Sequence, residues 1–405
     1  MLAVGLKRDL KGVTELEIEK PAIEKPKQVL VRILKAAIDG TDRAIVRYHL
    51  FDPPPEEDIM VLGHEAVGLV EAVGDEVKTL KVGDIVVPTV RRGCGRCPSC
   101  LHNQSDMCST GLYTERGIHK LPGFFTQYIV DEEDYLVPVP KELEYLAILV
   151  EPLSIGEKIM EQIQTIQSRL PWGCAHPNHK HIQDNWASCK GALVIGAGPL
   201  GFLIVCLMEM YGMDTYVAIN RPEDNIRVKL MKEMGARYID SRDGNQFEIA
   251  KQTGPLDIII DASGASRVAL DLINILDRNG IYVLTGIPRE VSEVCLDGDA
   301  LVRQLVRYNQ VVVGSINSNR IHFETAIKHL AEIRERHSLV LEKMITDFYP
   351  LEDYKEAFER RNQDQFKAVF DLTPNSTRRS KTRTHLAKGG DQLLLTKNSE
   401  INPQI

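Results

Sequence analysis

Cys94-x2-Cys97-x2-Cys100-x7-Cys108 packs four thiols into one short stretch, while Cys174, Cys189, Cys206 and Cys295 are scattered. Four soft ligands with no open position suit a closed, tetrahedral structural zinc site. An iron–sulfur cluster is the competing reading, because sets of four cysteines also hold clusters. A second set of donors is harder and more dispersed. Gly63-His64-Glu65 sits at a glycine-flanked turn, and Asp39 opens Asp39-Gly40-Thr41-Asp42 just after an apolar run. Imidazole and carboxylates can hold a catalytic metal that keeps a position open for substrate. On its own, a His64–Glu65 pair also reads as a satisfied structural contact. Glu151 follows the apolar run Leu146–Val150, where a carboxylate needs a metal, a cation or a polar substrate as partner.

Gly196-Ala197-Gly198-Pro199-Leu200-Gly201 has the G-x-G-x-x-G form. It follows a predicted strand and opens a predicted helix, the context in which the glycines cradle a pyrophosphate at a helix N-terminus. The next strand ends in Asn220-Arg221 rather than in the acidic residue that pairs with the ribose 2′-hydroxyl of NAD. An Arg there suits a 2′-phosphate and favours NADP. Glu223 and Asp224 follow closely and leave dual use with NAD open, and Arg221 also reads as an ordinary surface residue.

Elements that could position these groups show two textures. Val29–Ala36, Gly68–Val73 and Ile85–Val90 read as short strands bounded by turn residues, so the first part of the chain is β-rich. From Ala192 onward, strands alternate with helices. Strands are expected at Ala192–Ile195, Thr215–Ile219, Leu256–Asp261, Ile281–Thr285 and Val311–Gly314, and helices at Leu200–Met210, Asn225–Met234 and Ser266–Leu276. That alternation implies a parallel, doubly wound α/β sheet. Helices at Phe323–Glu335 and near Tyr354–Arg360 are expected to return to the first domain.

The 405 residues suit two domains plus appendages. No apolar run reaches the length of a membrane span, and the N-terminus lacks the features of a secretory leader, so a cytoplasmic protein with no membrane partner is expected. The net charge of −8 argues against nucleic acid as a partner. After Leu372 the composition is that of a disordered tail, with Arg378, Arg379, Lys381, Arg383 and Lys388 among small polar residues.

Taken in order, these motifs resemble the medium-chain zinc-dependent dehydrogenases, and within them the glucose dehydrogenases of archaeal type. The likeness covers nearly all of the chain up to Leu372. It includes Thr114 to Lys120, Glu151-Pro152-Leu153-Ser154 and the run from Val313 to Glu324. The resemblance implies a GroES-like β-rich catalytic domain at 1–160 and 317–372, with a zinc lobe at about 93–109. It implies a Rossmann domain at 161–316 and leaves 373–405 as the tail. It also implies that Asp39, His64 and Glu65 hold a catalytic zinc with Glu151 nearby, and that Thr41, Glu115, Glu151 and Asn317 hold sugar hydroxyls. Thr285-Gly286-Ile287 and Ser315-Ile316-Asn317 would meet the nicotinamide half.

The implied reaction is metal-assisted oxidation of D-glucose at C1 to gluconolactone, with hydride passing to NADP or NAD and Thr41 handing the proton outward. Two departures stand out. Most relatives outside the sugar group have a thiolate where this chain has Asp39, and many alcohol dehydrogenases have a relay histidine where it has Ala44. The insertion 169–190, with Trp172, Cys174, His176, His179 and His181, is also reminiscent of this group, but reads as an ordinary loop. The family implies a homo-oligomer, a dimer or tetramer. A polyol, threonine or alcohol dehydrogenase is the alternative enzyme, and a non-catalytic NADPH-binding relative is the alternative of another class.

Overall fold

Residues 28–38 are almost continuously apolar, as a strand paired on both sides must be. In the computed structural model, which describes residues 1–170, 187–188, 190–242, 246–288, 293–360 and 365–373, this strand lies near the middle of a seven-stranded sheet. Glu65–Val73 flanks it on one side and Lys367–Asp371 on the other, both antiparallel to it, and Ile345–Tyr349 extends the sheet beyond Lys367–Asp371. Trp172, Cys174, His176, His179 and His181 of the insertion, and the tail from 374, lie outside the described residues.

A second sheet has six parallel strands in the order Arg237–Asp240, Asp214–Ile219, Gly191–Ile195, Leu256–Asp261, Leu276–Leu284, Val311–Gly314. The first strand in sequence sits in the middle, so the chain order reverses beside it. The crevice at that switch point, off the carboxyl ends of the strands, is where such sheets take ligands. The expected alternation of strand and helix is thus observed. An 18-residue helix, Val150–Gln167, was not expected; it packs against the helices Arg320–Met344 and Pro199–Met210. It buries residues on several faces, including the charged Glu151, Glu157 and Lys158, so its sequence lacks the single apolar stripe that marks a surface helix. Among the described residues no helix is long and apolar enough to cross a membrane.

One buried ion cluster fastens the β-rich sheet to a small three-stranded sheet, Arg91–Arg92, Thr114–Arg116 and Lys120–Leu121. Asp131, in the strand Tyr128–Glu132, accepts bonds from Arg92 Nη2 and from Arg116 Nη2 at 3.0 Å and Nε at 3.3 Å. Burial pushes the Asp131 pKa up, but the two guanidinium groups outweigh it and hold it below the usual carboxylate range. Replacing Asp131 by Ala leaves two buried cations uncompensated. The expected loss is about 3–5 kcal/mol in urea unfolding. Because the folded pKa is depressed, the contribution is present above about pH 4 and fades as pH falls through the lowered value.

Candidate active site

Asp39 directly follows the strand Gln28–Ile38, and its side chain caps the helix Gly40–Tyr48. Oδ1 accepts from the N–H groups of Thr41 at 2.7 Å and Asp42 at 2.9 Å, while Asp42 Oδ2 accepts from Asp39 N at 3.0 Å. This reciprocal cap fixes Asp39 and leaves Oδ2 pointing at His64 Nε2, 3.6 Å away. His64 precedes the neighbouring strand after a turn at Gly63, whose φ of +90° and contact with the Phe125 ring leave no room for a Cβ. Asp42 Oδ1 lies 3.5 Å from His64 Nδ1 and accepts from Gly63 N at 3.2 Å. Glu65 begins its strand opposite Ala37. One ligand atom each from Asp39, His64 and Glu65 can be chosen so that all lie within 4.8 Å of one another. Two donors on one tetrahedral zinc lie roughly 3.4 Å apart, so the 3.6 Å pair fits such an ion.

Charge around this point is unbalanced. Asp42, Glu65 and Glu151 are buried and Asp39 is half-buried, yet the cations among them are His64 and Lys367. Lys367, fully buried in the strand Lys367–Asp371, is paired with Glu65. Burial pushes Glu65 up to about 7 and Glu151 up to about 8, with Lys367 and His64 respectively pulling the other way. Burial disfavours the charged form of His64 too, but Asp39 and Asp42 more than reverse this and hold the imidazolium. A divalent cation in this cluster would offset the excess negative charge.

The cysteine lobe forms a second, closed cage. The four sulfurs of Cys94, Cys97, Cys100 and Cys108 lie within 4.8 Å of one another, and Cys94 and Cys100 Sγ are 3.9 Å apart. Zinc–sulfur bonds of about 2.3 Å at tetrahedral angles put sulfurs roughly 3.8 Å apart, a one-ion spacing. Backbone N–H groups of Cys100 and Ser109 draw the Cys97 thiol down to about 5, whereas burial pushes Cys100 up to about 12. A cation held by all four sulfurs would draw each of them into the thiolate form.

A cavity of about 560 Å³ joins the Asp39–His64–Glu65 cluster to the switch point of the parallel sheet. Gly198, Pro199 and Leu200 line it at the N-terminus of the helix Pro199–Met210, which has no side-chain cap. Those free N–H groups favour an anion. Arg221, Thr285, Gly286, Ile287 and Ile316 line the wall, and Thr41 and Glu151 face it beside the cluster. Gly196 and Gly201 shape the turn from behind: the first has φ +108°, and a Cβ on the second would strike Gly196 O. Asn220 and Ser315 adjoin the lining. Glu115 and Asn317 are not among the lining residues; Asn317 Nδ2 donates to Glu115 Oε1 at 2.5 Å, and Arg91 Nε to the same oxygen at 2.9 Å.

Three residues escaped the reading of the sequence. Lys367 sits in a strand whose apolar neighbours hide it. Asp42 lay in view inside its motif, but only the fold shows that it faces His64. Arg227, also on the cavity wall, donates to Ala197 O at 3.1 Å and to Gln365 O, tying the glycine turn to the segment before Lys367. A signal for it was available, as a cation in the first turn of the helix after Arg221.

A Cβ at Gly198 would meet nothing within 4 Å, and its φ of −75° suits any residue. Gly198→Val is therefore expected to keep the thermal midpoint of the free protein. It should weaken dinucleotide binding by about ten-fold or more, about 1.4 kcal/mol, in calorimetric titration.

Residues 144–372 match the family described as glucose dehydrogenase C-terminus, and residues 25–141 match the alcohol dehydrogenase GroES-like domain. A glucose 1-dehydrogenase of Methanocella arvoryzae is 34% identical over 359 residues, covering 88% of this chain and 95% of the relative. One of Haloarcula marismortui is 34% identical over 378 residues, 92% of this chain and 99% of the relative. The solved structure of Haloferax mediterranei glucose dehydrogenase in complex with NADP, Zn and gluconolactone superposes with a TM-score of 0.82. It is 30% identical and covers 92% of this chain and all of that one (100%). The chain belongs to the glucose dehydrogenase family of the zinc-dependent medium-chain dehydrogenases.

Proposed function

We propose that this chain oxidises D-glucose at C1 to gluconolactone and reduces NADP, with a catalytic zinc at Asp39, His64 and Glu65 and a structural zinc in the four-cysteine lobe. The observation that carries this reading is the shared cavity: the metal-competent cluster and the uncapped helix N-terminus open onto one space. When bound, zinc and the nicotinamide ring supply Lewis acidity and a hydride acceptor. The chain's residues do the rest. Asp42 orients His64 through Nδ1. Thr41 Oγ1 takes the substrate hydroxyl's proton outward. Burial pushes Glu151 up to about 8; a bound dication would draw it back down, leaving a carboxylate beside the cluster that would accept this proton and pass it to water where Ala44 offers no imidazole. Glu115 and Asn317, bonded to each other with Arg91 on the same Glu115 oxygen, take sugar hydroxyls, whose discrimination requires polar partners.

NADP is favoured over NAD because Arg221, with Arg227 near it, makes the adenosine end of the cavity cationic. Gly196, Gly198, Pro199, Leu200, Gly201 and Asn220 cradle the phosphates and ribose, while Thr285, Gly286, Ile287, Ser315, Ile316 and Asn317 serve the nicotinamide half. We place the β-rich catalytic unit at 1–160 and 317–372 and the dinucleotide unit at 161–316, a division supported by the membership of the two sheets. We also infer a homo-oligomer in the cytoplasm. The edge strand Val311–Gly314 and the helix Gly298–Arg307 present Val312, Val302 and Val306 to solvent, an apolar edge that folded proteins usually cover.

Steady-state kinetics with glucose, galactose and xylose, each with NAD and NADP, test the assignment. Glucose with NADP is expected to give the highest kcat/KM, and chelation to abolish turnover until zinc is restored. Asp39→Ala or His64→Ala should abolish turnover with an unchanged circular dichroism spectrum, whereas Cys97→Ser should lower the thermal midpoint. No NADPH formation from glucose by zinc-loaded protein would favour a non-catalytic binder instead.

A further inference from the structure

The helix Val150–Gln167 buries a lysine that no part of the reaction uses. Lys158 Nζ lies 2.7 Å from Asp106 Oδ2, and the two side chains are 4% and 2% exposed. The same ammonium donates to Ile316 O at 2.8 Å. Asp106 belongs to the four-cysteine lobe, two residues before Cys108. Its other oxygen accepts from Asn319 Nδ2 at 3.0 Å, and its carbonyl accepts from Arg91 Nη1 at 2.6 Å. Ser154, one turn before Lys158, bonds Ser318 through the two hydroxyls at 2.6 Å. The segment 315–319 is thus clamped between the helix and the lobe.

That segment needs a clamp. Asn317 has a φ of +62°, and Ile316 is 51% exposed with its side chain on the cavity wall. Ile287, across the same wall, is 61% exposed. Two apolar side chains left open on a cavity wall suit a flat ring laid against them. A buried charge pair contributes little net stability compared with apolar residues of the same size, so its use here is to fix position.

We propose that Lys158 and Asp106 are positioning residues: together they brace Ile316 against the cysteine lobe so that the wall receives the nicotinamide ring. This rests on the proposed NADP reading and goes beyond it by assigning the lobe a part in cofactor selection by shape. The lobe then supports binding at the redox end of the cavity and leaves the adenosine end, at Arg221, untouched.

The test compares two ligands by calorimetry on the zinc-loaded protein: NADP, and adenosine 2′,5′-bisphosphate, which lacks the nicotinamide half. Lys158→Met combined with Asp106→Asn removes both charges and leaves no orphan ion. The double variant is expected to raise the Kd for NADP by about ten-fold, with that for the bisphosphate within about two-fold. Asp106→Glu, which keeps both charges and lengthens the brace by one methylene, should show the same selective loss at about three-fold even if the double variant folds poorly. Equal losses for both ligands, or no loss for NADP, overturn the proposal. Wild-type protein that binds the bisphosphate but gains no affinity from the nicotinamide half overturns the cofactor reading, and the proposal with it.

Discussion

Too much negative charge buried in one place is the constraint around which this molecule is arranged. Carboxyl groups from Asp39, Asp42, Glu65 and Glu151 meet one imidazole and one ammonium. Carboxylates removed from water must be paired, protonated or bound to metal. The fold uses helix N–H groups on Asp39 and the buried Lys367 on Glu65, and burial raises the pKa of Glu151. Each device comes from a different element, which the β-rich sheet and the helix Val150–Gln167 bring together.

The parallel sheet answers a complementary need. Its switch point leaves strand ends and an uncapped helix terminus facing the cluster, so positive electrostatic character lies on one side of the cavity and negative on the other. A cofactor with anionic phosphates at one end and a substrate held by a cation at the other can be accommodated in one space of about 560 Å³. The lobe, the helix Val150–Gln167 and the segment 315–319 keep the wall between them in register.

Much of this was legible in the sequence, for stated reasons. The cysteine spacing and the glycine turn are local motifs, and the strand–helix alternation from Gly191 is a periodic signal that survives without tertiary context. Asp39, His64 and Glu65 were legible only through resemblance, since the pairing that joins them spans separate strands. Lys367 and Lys158 were not legible, because a lysine among apolar residues looks like an interruption until its partner across the fold is seen. The helix Val150–Gln167 hid for the same reason: Glu151, Glu157 and Lys158, three of its four charged residues, are buried.

The strand carrying Lys367 has a consequence for how the chain is made. It lies between Gln28–Ile38 and Ile345–Tyr349, so segments more than 300 residues apart are neighbours in the sheet. During synthesis the Glu65 carboxylate must wait roughly 300 residues for its ammonium, about 15–60 s at ribosomal rates. Throughout that interval residues 35–38 of the central strand have an open edge and the acidic cluster lacks its ammonium. Metal captured early by the nascent cluster, or a chaperone covering that edge, would protect the chain until its last strand arrives.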